Sequence, residues 1–249
     1  GSVTVSMECP PFTGVQRSLE VLEDFSGTPG EVAIYTGALS WISAADAEAQ
    51  AQLCSERLAE VEIPVRRFTT AGEDYALAEW MEDATDNGLV DVLVTYGYFP
   101  SSIYPAGNAQ PDGSIAELFI ESPDGDMILN HADYIFYVST TNNDVGGLQN
   151  MMDNALGIAM WGDDTPMTVT GMGGAIASEL TDFLSDRPFH IDQLDGQWFV
   201  EAALAQNDTG LSADPIIVRD GNRGRIAIAF QTADAMPRGL VAADMIAWI

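Results

Sequence analysis

The chain has 249 residues, which fits one large domain or two small ones. Hydrophobic residues make up 47 %, enough to bury a core, so a disordered chain is excluded; no apolar run approaches the roughly 20 residues of a bilayer-spanning helix. Acidic residues number 38 against 9 basic, a formal net charge of −29, which argues against nucleic acid and against an anionic membrane surface as partners.

Residues 1–30 form a lead-in rich in Pro, Gly, Ser and Thr, with a short helical candidate at Val15–Phe25. Val32–Thr36 is a continuous apolar run ended by Gly37, the pattern of a buried parallel strand. Ser43 can cap the next helix, with Asp46 in its first turn. Ala47, Ala51, Cys54, Leu58 and Val61 recur at helical spacing and predict one buried face. Val65–Phe68 predicts a second strand, Tyr75–Thr85 a second helix and Val90–Tyr96 a third strand. Such alternation argues for a parallel sheet with helices on both faces. Tyr98 to Gly113 reads as a loop long enough to be functional. Ile115–Glu121 predicts a helix, Met127–Asn130 a strand, Tyr134–Val138 another strand and Leu148–Asp153 a short helix. Met167–Thr170, Gln197–Leu204, Ile216–Arg219 and Arg225–Gln231 read as strands; Ile176–Leu184 and Ala242–Ile249 read as helices. No repeat or linker divides the chain, so residues 31–249 are expected to form a single domain.

All nine basic residues are arginines, and there is no lysine. So large a net charge destabilises a compact state unless salt screens it, and the Debye length falls from about 10 Å at 0.1 M to about 3 Å at 1 M. The composition points to a salt-adapted, secreted or surface-exposed protein; compositional drift in a GC-rich genome is the competing explanation for the missing lysine. Cys9 and Cys54 are the only cysteines. They either form one bridge or are two unrelated apolar residues. Gly1-Ser2 reads as a tag scar or processed end, and the last helix lacks a stop signal, as in a piece of a longer chain. Asn207-Asp208-Thr209 fits a glycosylation sequon.

No Gly-x-Ser-x-Gly elbow, lysine-containing phosphate loop, His-Glu-x-x-His or Cys-x-x-Cys is present. Gly171-Met172-Gly173-Gly174 sits between a predicted strand and helix but lacks the third glycine of a dinucleotide turn, and a plain glycine turn is expected. His131 and Asp133 follow an apolar strand, where ligands of open α/β sheets bind, and are the candidate catalytic pair. Their alternative role is to satisfy backbone groups of a turn. His190 with Asp192 is a weaker second pair. Glu117 and Glu121, four apart, read as a solvated helix face. Asp124, Asp126, Asp163 and Asp164, with Asp220, sit in glycine-containing turns and are candidate calcium ligands, without EF-hand spacing. Trp41, Tyr96, Tyr98 and Tyr104, with Phe99, follow predicted strands and are candidates for stacking on a sugar, or for packing the sheet edge.

The run Asp91-Val92-Leu93-Val94-Thr95-Tyr96-Gly97, then Glu117-Leu118-Phe119-Ile120-Glu121 before Gly125-Asp126-Met127-Ile128, and the late Gly224-Arg225-Ile226-Ala227-Ile228-Ala229, together resemble the ThuA-like branch of the class I glutamine amidotransferase-like superfamily. The resemblance spans roughly Val32 to Ile249. It implies a three-layer α/β/α flavodoxin-like sandwich with a mostly parallel central sheet. True amidotransferases carry Gly-x-Cys-x-Gly at an elbow and a later His-x-Glu, and neither occurs here, so glutaminase activity is not expected. The branch itself lacks that cysteine and is linked by context to carbohydrate utilisation. The resulting expectation is a binding or assembly module with a carbohydrate ligand, self-associating or part of a larger multidomain chain. The rival expectation is a carbohydrate-active hydrolase or isomerase using His131 with a nearby carboxylate.

Overall fold

The structure, a computed structural model, describes residues 28–39, 41–105, 113–131, 137–138, 141–142, 146–154 and 162–249. Strands β1 (Thr28–Tyr35), β2 (Val65–Phe68), β3 (Leu89–Thr95) and β4 (Met127–Asn130) alternate with helices α1 (Ala44–Ala59), α2 (Asp74–Ala84) and α3 (Ile115–Glu121). A two-residue ribbon, β5 (Tyr137–Val138) with β6 (Thr141–Asn142), and helix α4 (Gly146–Met151) come next. The later chain holds β7 (Thr165–Val169), α5 (Gly171–Ile176), β8 (Phe183–Ser185), β9 (Phe189–His190), β10 (Trp198–Ala203) and β11 (Ala205–Gln206). After these come β12 (Ser212–Ala213), β13 (Ile216–Asp220), β14 (Arg225–Ile228) and helix α6 (Arg238–Trp248).

Seven strands make one sheet in the order β10-β13-β14-β4-β3-β1-β2. Its five members β2, β1, β3, β4 and β14 run parallel, while β13 is antiparallel to β14 and β10 to β13. A separate antiparallel sheet runs β8-β7-β11-β12-β9. The chain is therefore α/β with a large, mostly parallel sheet, as its alternating pattern predicts, plus an antiparallel sheet the pattern does not announce.

Both faces of the parallel strands are covered. Tyr35, Leu93, Ile128 and Ile228 pack with Leu77, Met81 and Phe119 of α2 and α3. Their strand neighbours Ile34, Val94, Leu129 and Ala227 pack with Ala51, Leu58, Val241 and Met245 of α1 and α6. Strands buried on two sides need apolar residues at every position, which is why they read as unbroken runs. Ser43 caps α1, its Oγ accepting from Asp46 N at 3.1 Å. The helix buries Ala47, Ala51, Cys54 and Leu58 but ends at Ala59, so Val61, expected on the same face, is 53 % exposed. Helix α6 approaches α1 so closely that a Cβ on Gly239 would lie 1.9 Å from the Gln50 carbonyl oxygen.

The predicted helix at Ile176–Leu184 is a misreading. The glycine stretch itself is helix α5, capped by Thr170, whose Oγ accepts from Gly173 N at 3.0 Å. A Cβ on Gly173 would lie 2.0 Å from Leu204 O, so glycine here serves close backbone packing and not a dinucleotide. Phe183 packs edge-on against Phe230, centroids 5.0 Å apart, within strand β8. Glu117, expected on a solvated face, is buried in a capping box with Ser114. Asn207 Oδ1 accepts from Leu211 N and Ser212 N, so the sequon asparagine stitches the β11–β12 turn. Cys54 is a free, buried thiol; Cys9 and the Val15–Phe25 candidate lie outside the described residues. Among the described residues, no helix is long and apolar enough to cross a membrane.

Candidate functional site

The carboxyl ends of β1, β4 and β14 converge on a cleft of about 220 Å³. Trp41 comes from the loop after β1, His131 from the end of β4, and Gln231, Thr232 and Ala233 from the turn after β14. Asp163, before β7, and Asp186 and Arg187, after β8, form the remaining wall. Ligands of open α/β sheets bind at this edge. Two larger depressions exist, of about 430 Å³ beside β10 and β13 and of about 410 Å³ at the amino edge. Among the described residues, neither is lined by a buried side-chain polar atom that lacks a partner; the carboxyl-edge cleft is lined by two.

The first is on His131, which is 2 % exposed. Its Nδ1 lies 2.8 Å from the Ala229 carbonyl oxygen. A carbonyl can only accept, so Nδ1 carries the proton and Nε2 presents a lone pair. Nε2 is buried and has no hydrogen-bond partner. The ring stacks on Tyr96 at 4.6 Å, and the Tyr96 hydroxyl is likewise buried and unpartnered. Burial, reinforced by the Arg238 charge, pushes the His131 pKa down to about 3, so the ring is neutral at physiological pH.

The second is Gln231 Oε1. The Gln231 Nε2 donates to Asn130 O at 3.0 Å, which aims the amide. The turn carrying it is held by Asp214, whose carboxylate accepts from Phe230 N, Gln231 N and Ser185 Oγ, each at 2.7 Å. Phe230 takes φ 56°, a left-handed conformation that bulky residues adopt only under constraint, and it ends β14. Burial raises the Asp214 pKa to about 6. Arg238 is 4 % exposed and donates to Thr232 O at 2.5 Å and Asp234 O at 2.8 Å, fixing the same turn from α6.

Trp41, 58 % exposed and at φ 61°, stands at the mouth of the cleft. On the opposite wall Arg187 pairs with Asp163 and donates to Asp186 O at 2.6 Å.

The predicted residues fare unequally. The structure brings Trp41 and His131 to one cleft. Tyr96 supports His131 from the core, while Tyr98 is half-buried and not part of the lining. Tyr104 is not a stacking platform: it is fully buried on the opposite face of the sheet, its hydroxyl donating to Gly147 O at 3.2 Å. Asp133 lies outside the described residues. His190 sits on β9, its Nδ1 3.8 Å from Asp192, away from the cleft lining. The four aspartates proposed for calcium do not form one centre. Asp124 and Asp126 accept from Gly88 N and Asp91 N at the amino edge, whereas Asp163 and Asp164 belong to the turn before β7. Among the described residues, no three His, Cys, Asp or Glu side chains gather as a metal group. Gln231, Asp214 and Arg238 were not legible as site residues, because Arg225–Gln231 reads as one strand.

No family model matches the sequence, and no curated protein matches it either. Among solved structures, a Bacteroides uniformis ATCC 8492 protein described as ThuA-like is similar in its backbone, with a TM-score of 0.46 and 9 % identity over 88 % of this chain and 91 % of that one.

Proposed function

We propose that this chain is a ThuA-like, non-amidotransferase α/β domain that binds a carbohydrate in its carboxyl-edge cleft, as a binding or assembly module of a secreted or surface protein in salty surroundings. The parallel order β2-β1-β3-β4-β14, with helices on both faces, supports the flavodoxin-like winding, whose ligands sit at this edge. The absence of lysine and the charge of −29 support the environment. Against a glutaminase stands Cys54, deep in α1, its thiol pushed up to about 12 by burial.

One observation carries the binding reading: an exposed indole face, Trp41, shares a cleft with the unpartnered acceptors of His131 and Gln231. Apolar ring faces and hydroxyl edges are what a sugar presents. The volume is below the roughly 300–1,000 Å³ of drug-sized sites, so it suits one ring and not a long chain. A hydrolase or isomerase built on His131 is the weaker reading. A general base works best with a pKa near the operating pH, and this ring is held about four units lower, its Nδ1 oriented by a carbonyl instead of a carboxylate. Titration calorimetry of the full chain in molar salt, against neutral mono- and disaccharides, tests the reading. Saturable binding that weakens about tenfold in Trp41→Ala is expected, the scale of one aromatic contact. Turnover of a bound sugar that disappears in His131→Phe would favour the enzyme instead, and binding unchanged in Trp41→Ala would remove this cleft.

A further inference from the structure

The walls of the cleft have an unequal supply of hydrogen-bond donors and acceptors. The backbone N–H groups of its described elements are largely spent. His131 N donates to Thr95 O at 3.1 Å, Asp186 N to Gln231 O at 2.7 Å, Gln231 N to Asp214 at 2.7 Å and Thr232 N to Phe230 O at 2.8 Å. Arg187, the cation in the lining, is engaged by Asp163 and by the Asp186 carbonyl. Two acceptors in the lining, Nε2 of His131 and Oε1 of Gln231, are buried and without a partner. A buried acceptor left unmade is costly, so such a pair is conspicuous unless something supplies donors.

We propose that this cleft is a donor-seeking site that selects a neutral ligand carrying two neighbouring hydroxyls, the vicinal diol of an unmodified sugar ring, and discriminates against its acidic counterpart. The proposal rests on the carbohydrate reading above and names the class of sugar. A carboxylate or phosphate brings lone pairs to a surface of lone pairs and meets the Asp163 and Asp186 wall. A hydroxyl supplies a proton without a charge. Two of them can satisfy Nε2 and Oε1 while the ring's apolar face lies on Trp41.

The test is a set of matched probes on the full wild-type chain in about 2 M NaCl, where the Debye length is below about 3 Å and the chain's net charge acts only at contact. D-glucose, D-galactose and D-mannose are each compared with the corresponding uronate by calorimetry. At least one neutral hexose is expected to bind ten or more times tighter than its uronate. Gln231→Met and His131→Phe, with folding checked by melting temperature, are each expected to cost that hexose about tenfold and to narrow the discrimination. Uronates that bind as well as the neutral hexoses overturn the donor argument and leave the carbohydrate reading standing. An anion penalty seen only at low salt assigns the effect to the net charge and also overturns it. If none of these sugars binds, the carbohydrate reading has failed and this inference with it.

Discussion

Asp126 offers a perturbation whose sign and size follow from its surroundings. It sits at the amino end of β4 with no exposed surface. Its Oδ1 accepts from Asp91 N at 2.8 Å, while Oδ2 is buried without a partner. Burial, with the nearby Asp91 and Asp124 carboxylates adding to it, raises its pKa from 3.8 to about 8, against the opposing pull of Arg225. The folded chain therefore holds a proton that the unfolded chain releases above about pH 4. Stability falls by roughly 1.4 kcal/mol per pH unit between those two values and then levels off. At pH 7 this one carboxyl costs the fold about 4 kcal/mol.

Asp126→Asn keeps the acceptor for Asp91 N and removes the titration. Its amide places N–H groups where Oδ2 now stands unpartnered, at a cost of about 1–3 kcal/mol. The balance is a gain of about 1–3 kcal/mol at pH 7 and a loss of similar size near pH 4, with the two stability curves crossing close to about pH 5. Urea midpoints of both proteins from about pH 4 to about pH 9 in constant molar salt give the comparison. Asp214, raised to about 6, tilts wild type and variant in the same direction and cancels in the difference. Curves that stay parallel at every pH, or a variant less stable at about pH 8, would refute the account of this group.

The other expectations concern packing, charge and the thiol. Arg225 is buried and bidentate to Glu201, at 2.6 and 3.1 Å, so Glu201→Ala strands a guanidinium and should lower unfolding free energy by about 3–5 kcal/mol; a loss under about 1 kcal/mol in denaturant titration contradicts this. Gly239→Ala forces α1 and α6 apart and should cost at least about 1–3 kcal/mol by the same measurement, with no cost counting against the close approach. Melting temperature should climb between about 0.1 and 2 M NaCl, and a flat profile would remove the salt-adaptation argument. Cys54 should resist thiol reagents in the folded chain and label only on unfolding; prompt labelling would place it outside the α1–α6 seam.

The parallel half of the fold was readable because its physics is local and doubly constrained. Ile115–Glu121 and Met127–Asn130 occupy the ranges their patterns predict, since a strand buried on both faces and a helix with a capping serine leave continuous marks; Val65–Phe68, an edge strand with Arg66 exposed, matches its predicted range as well. Of the antiparallel sheet, β7 alone left such a mark, as Met167–Thr170. Strands of two or three residues such as β9, β11 and β12 are too short for any period, and what defines them is partners far along the chain, as in Ser212 opposite His190. Phe183 reads as part of a helix when only its neighbours are considered; its strand conformation is settled by Phe230, a contact far along the chain.

The same division separates the site residues. Trp41 and His131 are legible because His131 follows an apolar strand directly and Trp41 lies in the loop after one, and position after a strand is a sequence property. Gln231 and Asp214 are defined by a turn that nothing local requires. The segment Arg225–Gln231 reads as a strand throughout, with an unbroken apolar run, yet Phe230 turns left-handed because Asp214 captures two successive N–H groups that a strand would have given to a neighbour. Once those amides are spent on Asp214, the turn cannot offer them to a ligand, and Gln231 is left presenting a carbonyl oxygen to the cleft. The preference argued for this site, toward ligands that bring donors, is thus a consequence of how one buried aspartate closes the last parallel strand. Asp214→Ala should consequently weaken sugar binding even though Asp214 is not among the residues lining the cleft. Calorimetry on a variant shown to be folded checks this, and undiminished affinity would cut the link between the turn and the site.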